Sequence, residues 1–153
     1  MLETQGMVKP LKLIGVMTAT LYKADGSVIT KVKPNLITTV GFDFIADAIG
    51  KASGRPNVMS YIAIGSGVTA AAVGNTALVT ELARVAATYS HVAGTSLFSL
   101  QGDFGPGVGT GAITEAGVLN AASAGVLFDR VVFSAITKAV GDSLTQKFEF
   151  TLA

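Results

Sequence analysis

Along much of this chain, polar and apolar positions alternate with the period of a β-strand. From Leu11 to Lys23 the residues Leu13, Met17, Ala19 and Leu21 fall on one alternating face, which predicts a half-buried strand. Asp25-Gly26 follows as a hairpin signal. The return strand, Ser27 to Lys33, places Val28 and Val32 inward and Lys31 and Lys33 outward. Beyond Pro34-Asn35, Leu36 to Thr39 reads as short and extended. The period then changes: Val40, Phe44, Ile45, Ala48 and Ile49 share one helical face. Asp43 and Asp47 lie on the other face, toward the N-terminal half that the helix dipole favours, and Gly50 ends the helix.

The β pattern resumes after a loop over residues 51–57. Tyr61 to Ile64 is a predicted strand, followed by a glycine-rich turn and an alanine-rich connection. There Asn75 or Thr76 could cap one helical turn running through Ala83. Ala83 to Val92 and Ser96 to Phe104 are predicted to pair across Ala93-Gly94-Thr95. Ala112 to Leu119, Val126 to Ala135 and Leu144 to Leu152 complete the set. In the last strand Leu144, Phe148, Phe150 and Leu152 face one way, and Thr145, Lys147, Glu149 and Thr151 the other. About eight short strands at hairpin-like spacing, with one or two short helices, predict an antiparallel β-sandwich or jelly roll. Residues 1–10 are expected to form an arm ended by Pro10, and residues 11–153 a single domain.

Composition changes this picture in one respect. Of 153 residues, 50% are hydrophobic and 14% charged, against about 25% charged in a typical soluble domain. Small alanine and glycine side chains account for part of the excess. The charge deficit points further, to surface covered by copies of the chain or by another protein, because interface cores also exclude charge. A net charge of +1 gives no reason to expect nucleic acid or an anionic membrane as partner, although Lys9, Lys12, Lys23, Lys31, Lys33, Lys51 and Arg55 crowd the first 55 residues. Cysteine is absent, so disulfides and thiolate metal sites are excluded. Residues 56–80 carry no charge, but Pro56, Asn57, Gly65, Gly67, Gly74 and Asn75 interrupt them too often for a membrane span. The N-terminal residues lack the basic head and apolar core of a signal peptide, and a soluble protein is expected.

Candidate chemistry is sparse. Gly65-Ser-Gly67-Val-Thr-Ala70 matches a dinucleotide-binding spacing, which requires a long helix starting at the glycines to hold a pyrophosphate. Gly74-Asn75 would cut such a helix after about one and a half turns, and no strand-borne acid follows about 20 residues on. Gly65 and Gly67 are therefore expected to be a structural turn, permitting positive φ or close backbone approach at a strand end. Gly105 to Gly111 is glycine-rich without the Gly-Lys-Ser/Thr ending of a phosphate loop. His91 is the only histidine and is expected at the surface or packed. Nothing favours Glu81 and Glu115 as a carboxylate pair for sugar chemistry over a structural role. No catalytic residue, metal site or cofactor is expected, and the chain does not read as an enzyme.

Four charges stand out because their surroundings are apolar and small: Glu81, Arg84, Glu115 and Arg130. Desolvation makes unpaired charges costly there, so they are candidates for an ion-pair network, with Arg84–Glu115 or Arg130–Glu115 as the favoured pairs. The competing reading leaves them exposed at strand ends.

Several segments resemble a module of tailed-phage virion proteins. They are Tyr61-Ile-Ala-Ile-Gly-Ser-Gly67, Asn75 to Leu78, Thr80 to Arg84, Ile113-Thr-Glu-Ala-Gly-Val-Leu-Asn120, Arg130 to Phe133 and Gly141-Asp142-Ser-Leu-Thr. The N-terminal hairpin with Asn35-Leu36-Ile37 and Gly41 to Ala46 adds to the likeness, which covers residues 12–152. Within that group the chain looks most like capsid cement, or decoration, proteins of the podovirus jelly-roll type. The resemblance implies a dimer or trimer bound between capsomers on the virion's capsid exterior, made in the host cytoplasm, with the major capsid protein and itself as partners. It also implies that arm and loops make the capsid contact, with Met1, Leu2, Val8, Lys9 and Pro10 as candidate arm residues. Related modules occur in tail-fibre, baseplate and tail-tip proteins, which gives the alternative function. A carbohydrate-binding or sugar-cleaving sandwich is the third reading, and the absence of Trp with only three Tyr weighs against it.

Overall fold

A computed structural model describes residues 10–153. Of the proposed arm, Met1, Leu2, Val8 and Lys9 lie outside the described residues, and Pro10 is exposed. The fold is mainly β, an antiparallel sandwich of two five-stranded sheets. The strands are β1 (Leu13–Tyr22), β2 (Val28–Pro34), β3 (Leu36–Ile37), β4 (Tyr61–Gly65), β5 (Glu81–Ala86), β6 (Thr88–His91), β7 (Leu97–Phe104), β8 (Gly111–Leu119), β9 (Leu127–Lys138) and β10 (Ser143–Leu152). One helix, α1 (Thr39–Gly50), lies between β3 and β4. The first sheet has the order β2-β1-β10-β7-β6 and the second β3-β9-β8-β4-β5.

The core forms where the inner faces meet. Met17, Ala19 and Leu21 of β1, Leu100 and Phe104 of β7, and Leu144, Phe148 and Phe150 of β10 pack against Ile62, Ile64, Ile113, Val118, Phe128 and Val131 of the second sheet. Phe150 is its hub: it stacks on Phe98 at 5.1 Å and meets Phe128 edge-on at 5.2 Å. The predicted alternation of β1 and β10 is present, with Leu152, on the apolar side, partly exposed at the strand end. Asp25-Gly26 does form the β1–β2 turn: Gly26 has φ +88°, and the Asp25 carboxylate accepts from the Ser27 N–H and hydroxyl at 2.8 and 2.6 Å.

The helix is capped by Thr38, whose hydroxyl accepts from the Gly41 N–H at 2.9 Å and donates to the Leu127 carbonyl at 2.6 Å. Phe44 meets Phe128 edge-on, which ties the helix to β9. Ile49 departs from the predicted buried face and is 76% exposed. Neither aspartate lies in the first helical turn, so the expected dipole pairing is not made; Asp47 instead pairs with Lys51 at 3.2 Å.

Three further expectations are overturned. On β2 the facing is reversed: Val28 and Val32 are exposed, while Lys31 and Lys33 pair with the inward-facing Ala19 and Met17. The lysines turn inward because β2 is a sheet edge facing β9 across the open side of the sandwich. There Lys31 donates to the carbonyls of Ser134 and Ala135 and to the Ser134 hydroxyl, and Lys33 donates to the Val132 carbonyl. Second, Ala83 to Val92 is not one strand: at Ala87 the chain crosses from the second sheet to the first. The Ala87 N–H is taken by the Ser60 carbonyl at 2.8 Å, so only β6 pairs with β7 and β5 pairs with β4. Third, residues 75–83 form no helical turn; 66–80 is an irregular loop leading into β5.

Candidate functional site

The long loop 66–80 lies over the outer face of the second sheet, where strand geometry puts Tyr61, Ala63, Gly65, Glu115, Gly117, Leu119 and Arg130 on the side away from the core. Leu78 descends from the loop into a small second cluster with Ala63, Leu119 and Leu127. Where the loop meets the sheet its backbone polar groups leave water and need partners, and two charged side chains supply them. Glu115, fully buried, accepts the N–H groups of Gly67 (2.9 Å), Thr80 (2.7 Å) and Val79 (3.0 Å). Arg130, also fully buried, donates to Glu115 Oε2 from Nε at 2.9 Å, and its Nη2 lies 2.9 Å from the same oxygen in the ion pair. Its remaining N–H groups reach the Thr69 carbonyl (2.9 Å), the Ala70 carbonyl (3.4 Å) and the Asn75 side-chain oxygen (3.0 Å). The Thr114 hydroxyl completes the clasp by donating to the Gly67 carbonyl at 2.8 Å.

This clasp explains Gly65 and Gly67. A Cβ on Gly65 would lie 2.3 Å from the Thr80 carbonyl and 2.6 Å from Glu115 Oε1; one on Gly67 would lie 2.5 Å from the same oxygen. Neither glycine has a positive φ, so close approach is their role. The segment is followed by an irregular loop, and the Gly67 N–H is committed to Glu115, not directed at a phosphate.

Of the four candidate charges, Glu115 and Arg130 form one buried pair. Arg84 does not reach Glu115. It pairs with Glu81 through two bonds, at 2.9 and 2.7 Å, because both side chains project from the same edge strand. From there Arg84 donates to the carbonyls of Ala121 and Ala124 in the β8–β9 loop. Burial pushes the Glu115 carboxyl up, but the Thr80 and Val79 N–H groups, the Arg130 guanidinium and the Gly67 N–H outweigh it and hold the acid below its ordinary range. Asn75 was not among the candidates. Its side-chain oxygen also accepts the N–H of Ala72, three residues earlier, at 2.9 Å.

Two further polar sites lie elsewhere in the sandwich. Asp129 on β9 is fully buried and faces the core; its two oxygens accept from the Val118 N–H at 3.0 Å and the Asn35 side-chain amide. Burial pushes its pKa up to about 7 despite both donors. At the other end Lys138, fully buried, donates to the Gly105 carbonyl at 2.9 Å, and burial lowers its pKa against the opposing pull of Asp142. Asp142 accepts the N–H groups of Ala24 and Ala139, both at 2.9 Å. His91 is exposed, with Nε2 2.9 Å from the Thr95 carbonyl.

A groove of about 410 Å³ runs beside the clasp, lined by Lys33, Pro34, Asn35, Leu36, Val68, Ala70 and Arg130 among others. Arg130, its charged group beneath the loop, is fully engaged with Glu115 and loop oxygens. Among the described residues no group of three or more His, Cys, Asp or Glu is placed to hold a metal ion, and no helix is long and apolar enough to cross a membrane.

The molecule's most distinctive surface is the outer face of β1 and β2. Ile14, Tyr22, Val28 and Val32 are 50–63% exposed there, with Val16, Thr18, Thr20, Thr30 and Pro34 between them, and among the described residues β1 and β2 place no charged side chain on it. Charge returns only at β10, with Lys147 and Glu149. Comparison with protein-family models, curated proteins and solved structures finds no match to this chain.

Proposed function

We propose that the protein is a structural component of a tailed-phage virion, a capsid cement protein that sits between capsomers of the major capsid protein and stabilises the head. The observation that carries this reading is the uncharged face of β1 and β2, where Ile14, Tyr22, Val28 and Val32 stand exposed. Soluble domains seldom leave large apolar side chains adjacent in this way unless a partner covers them. The charged groups of the clasp meanwhile serve the scaffold itself: Glu115 and Arg130 hold a loop down, and Glu81 and Arg84 hold the β8–β9 loop.

On this reading the role is mechanical. Many copies cover apolar surface on a repeating lattice, and contact with more than one capsomer resists their separation. The test has two arms. Particles purified with the protein bound should carry it in hundreds of copies; about a dozen copies would overturn the head assignment in favour of tail fibre, baseplate or tail tip. The variant Val28→Glu/Val32→Glu should keep the native melting temperature within a few degrees and lose particle binding. Undiminished occupancy by that variant would remove the β1–β2 face from the contact.

A further inference from the structure

Asp129 is a buried acid with no cation beside it among the described residues. Its neighbours on every packed element are neutral or turned away. Arg130 points to the opposite face of β9, into Glu115, and Glu115 of β8 lies on that same far side. β8 otherwise offers the Val118 N–H, β1 offers Gly15, and β3 offers Leu36 and Ile37. Lys33 of β2 is engaged with the Val132 carbonyl. Asp43 of α1 is exposed and Asp47 pairs with Lys51, while Lys147 and Glu149 of β10 sit on the outer face of the first sheet. A fully buried carboxylate in such a setting is costly to ionise.

The second observation is independent of that cost. Asn35 gives its amide nitrogen to Asp129, yet its side-chain oxygen is buried with no hydrogen-bond partner, pressed against the Gly15 backbone. A carboxylate can accept from Val118 and Asn35 together. When the oxygen facing Asn35 carries the proton, it becomes a donor aimed at the Asn35 amide nitrogen, itself a donor, while the other oxygen still accepts from Val118. The unpartnered acceptor it needs is the other end of the same Asn35 amide, half a turn about χ2 away.

We propose that Asp129 and Asn35 form a proton-operated latch between β9 and the crossover that carries the chain from β2 to β3. In the protonated state the Asp129 O–H donates to the Asn35 side-chain oxygen. In the ionised state the amide turns over and donates its N–H to the carboxylate. The upward displacement of the Asp129 pKa to about 7 puts the exchange within the neutral range. Asn35 joins the two sheets beside the groove lined by Lys33, Pro34 and Leu36, so the latch controls how firmly that corner is held. This inference stands apart from the virion reading and does not depend on it.

Carbon-detected NMR of the unaltered chain between pH 3 and 9 tests it. The Asp129 carboxyl carbon should titrate near neutrality, and the Asn35 side-chain amide signals should shift with the same midpoint. Amide exchange at residues 35–37 should quicken above that midpoint. An Asp129 that titrates with ordinary carboxyls near pH 4, or Asn35 signals that stay flat while Asp129 titrates, would overturn the latch. The Asp129→Asn variant should abolish the Asn35 titration and leave the other carboxyl midpoints in place; persistence of the Asn35 shift in that variant would also refute it.

Discussion

Removing the Glu115 carboxylate is the sharpest test of the clasp. Glu115→Ala takes away the acceptor of three backbone N–H groups, those of Gly67, Val79 and Thr80, and leaves Arg130 buried without its counter-ion. Breaking one side of a buried ion pair costs about 3–5 kcal/mol. Each N–H left dry would add about 1–3 kcal/mol, but the loop has an escape. Residues 66–80 can lift off and take their N–H groups to water, at the cost of exposing Leu78 and the small cluster around Ala63, Leu119 and Leu127. The loss should therefore stay near 3–5 kcal/mol and not reach the sum. Urea denaturation of native and variant chains measures it, and amide exchange shows where it arises: protection should disappear across 66–80 and persist in β1 and β10. A loss below about 1 kcal/mol, with 66–80 still protected, would mean that apolar packing of Leu78 and not the ion pair holds the loop.

Four further outcomes follow from single residues. Gly67→Ala should destabilise by about 1–3 kcal/mol, because its Cβ would meet Glu115 Oε1 at 2.5 Å and the Val79 Cβ at 2.6 Å. Gly26→Ala, at φ +88° with nothing within 4 Å, should cost only about 1 kcal/mol of backbone strain; chemical denaturation of the pair separates close approach from conformational need. Gln146→Leu should stabilise by about 1 kcal/mol, since Gln146 is fully buried and both its side-chain polar atoms lack partners; a lower melting temperature would show that they are satisfied in solution. For Asp129 the folded pKa is raised, so the native state binds the extra proton and stability falls as pH rises from about 4 to about 7 and is flat above. Over about three pKa units the penalty is about 4 kcal/mol, and Asp129→Asn should remove that slope and be the more stable chain at pH 8 in denaturation series.

The parts of the fold that could be read from sequence are those where one-sided burial forces a period. β1 and β10 sit centrally in their sheet with one face on the core, so Met17, Ala19, Leu21, Leu144, Phe148 and Phe150 announce themselves by alternation. α1 is legible for the same reason, at helical spacing. The 66–80 loop is not, because its conformation is set by groups distant in sequence: Glu115 lies 48 residues from Gly67, and Arg130 lies 61 from Thr69. Asn75 or Thr76 suggested the cap of a helical turn there, but the local bonds between Ala72 and Asn75 close a turn and start no helix. The clasp was legible in part, since a charged residue inside the apolar run Ile113 to Leu119 implies a buried partner. Which arginine answered was set by sheet order, which brings Arg130 beside Glu115 across β8 and β9 and leaves Arg84 on the edge strand with Glu81.

The reversed facing of β2 carries the argument about partners further. At a sheet edge, inside and outside are not sorted by hydrophobicity alone, because the inner side still opens toward solvent. Lys31 and Lys33 use that opening to reach the β9 carbonyls of Ser134, Ala135 and Val132, and so help close the side of the sandwich beside the β2–β3 crossover. An added strand on β2 would seal these ammonium groups beneath a sixth strand with only carbonyl and hydroxyl partners. Inward charge of this kind is how natural sheets resist edge pairing. The same reversal brings Val28 and Val32 to the outer surface beside Ile14 and Tyr22. On the proposed reading a partner would be directed onto the outer face of β1 and β2 and away from the β2 edge. Binding should be abolished by charge placed on that face, as in Val28→Glu/Val32→Glu, and should survive loss of the β2 edge N–H groups. If N-methylation or proline at an outward-facing β2 amide removed particle binding while the fold persisted, strand addition would be the mode of contact and the face-on reading would fail.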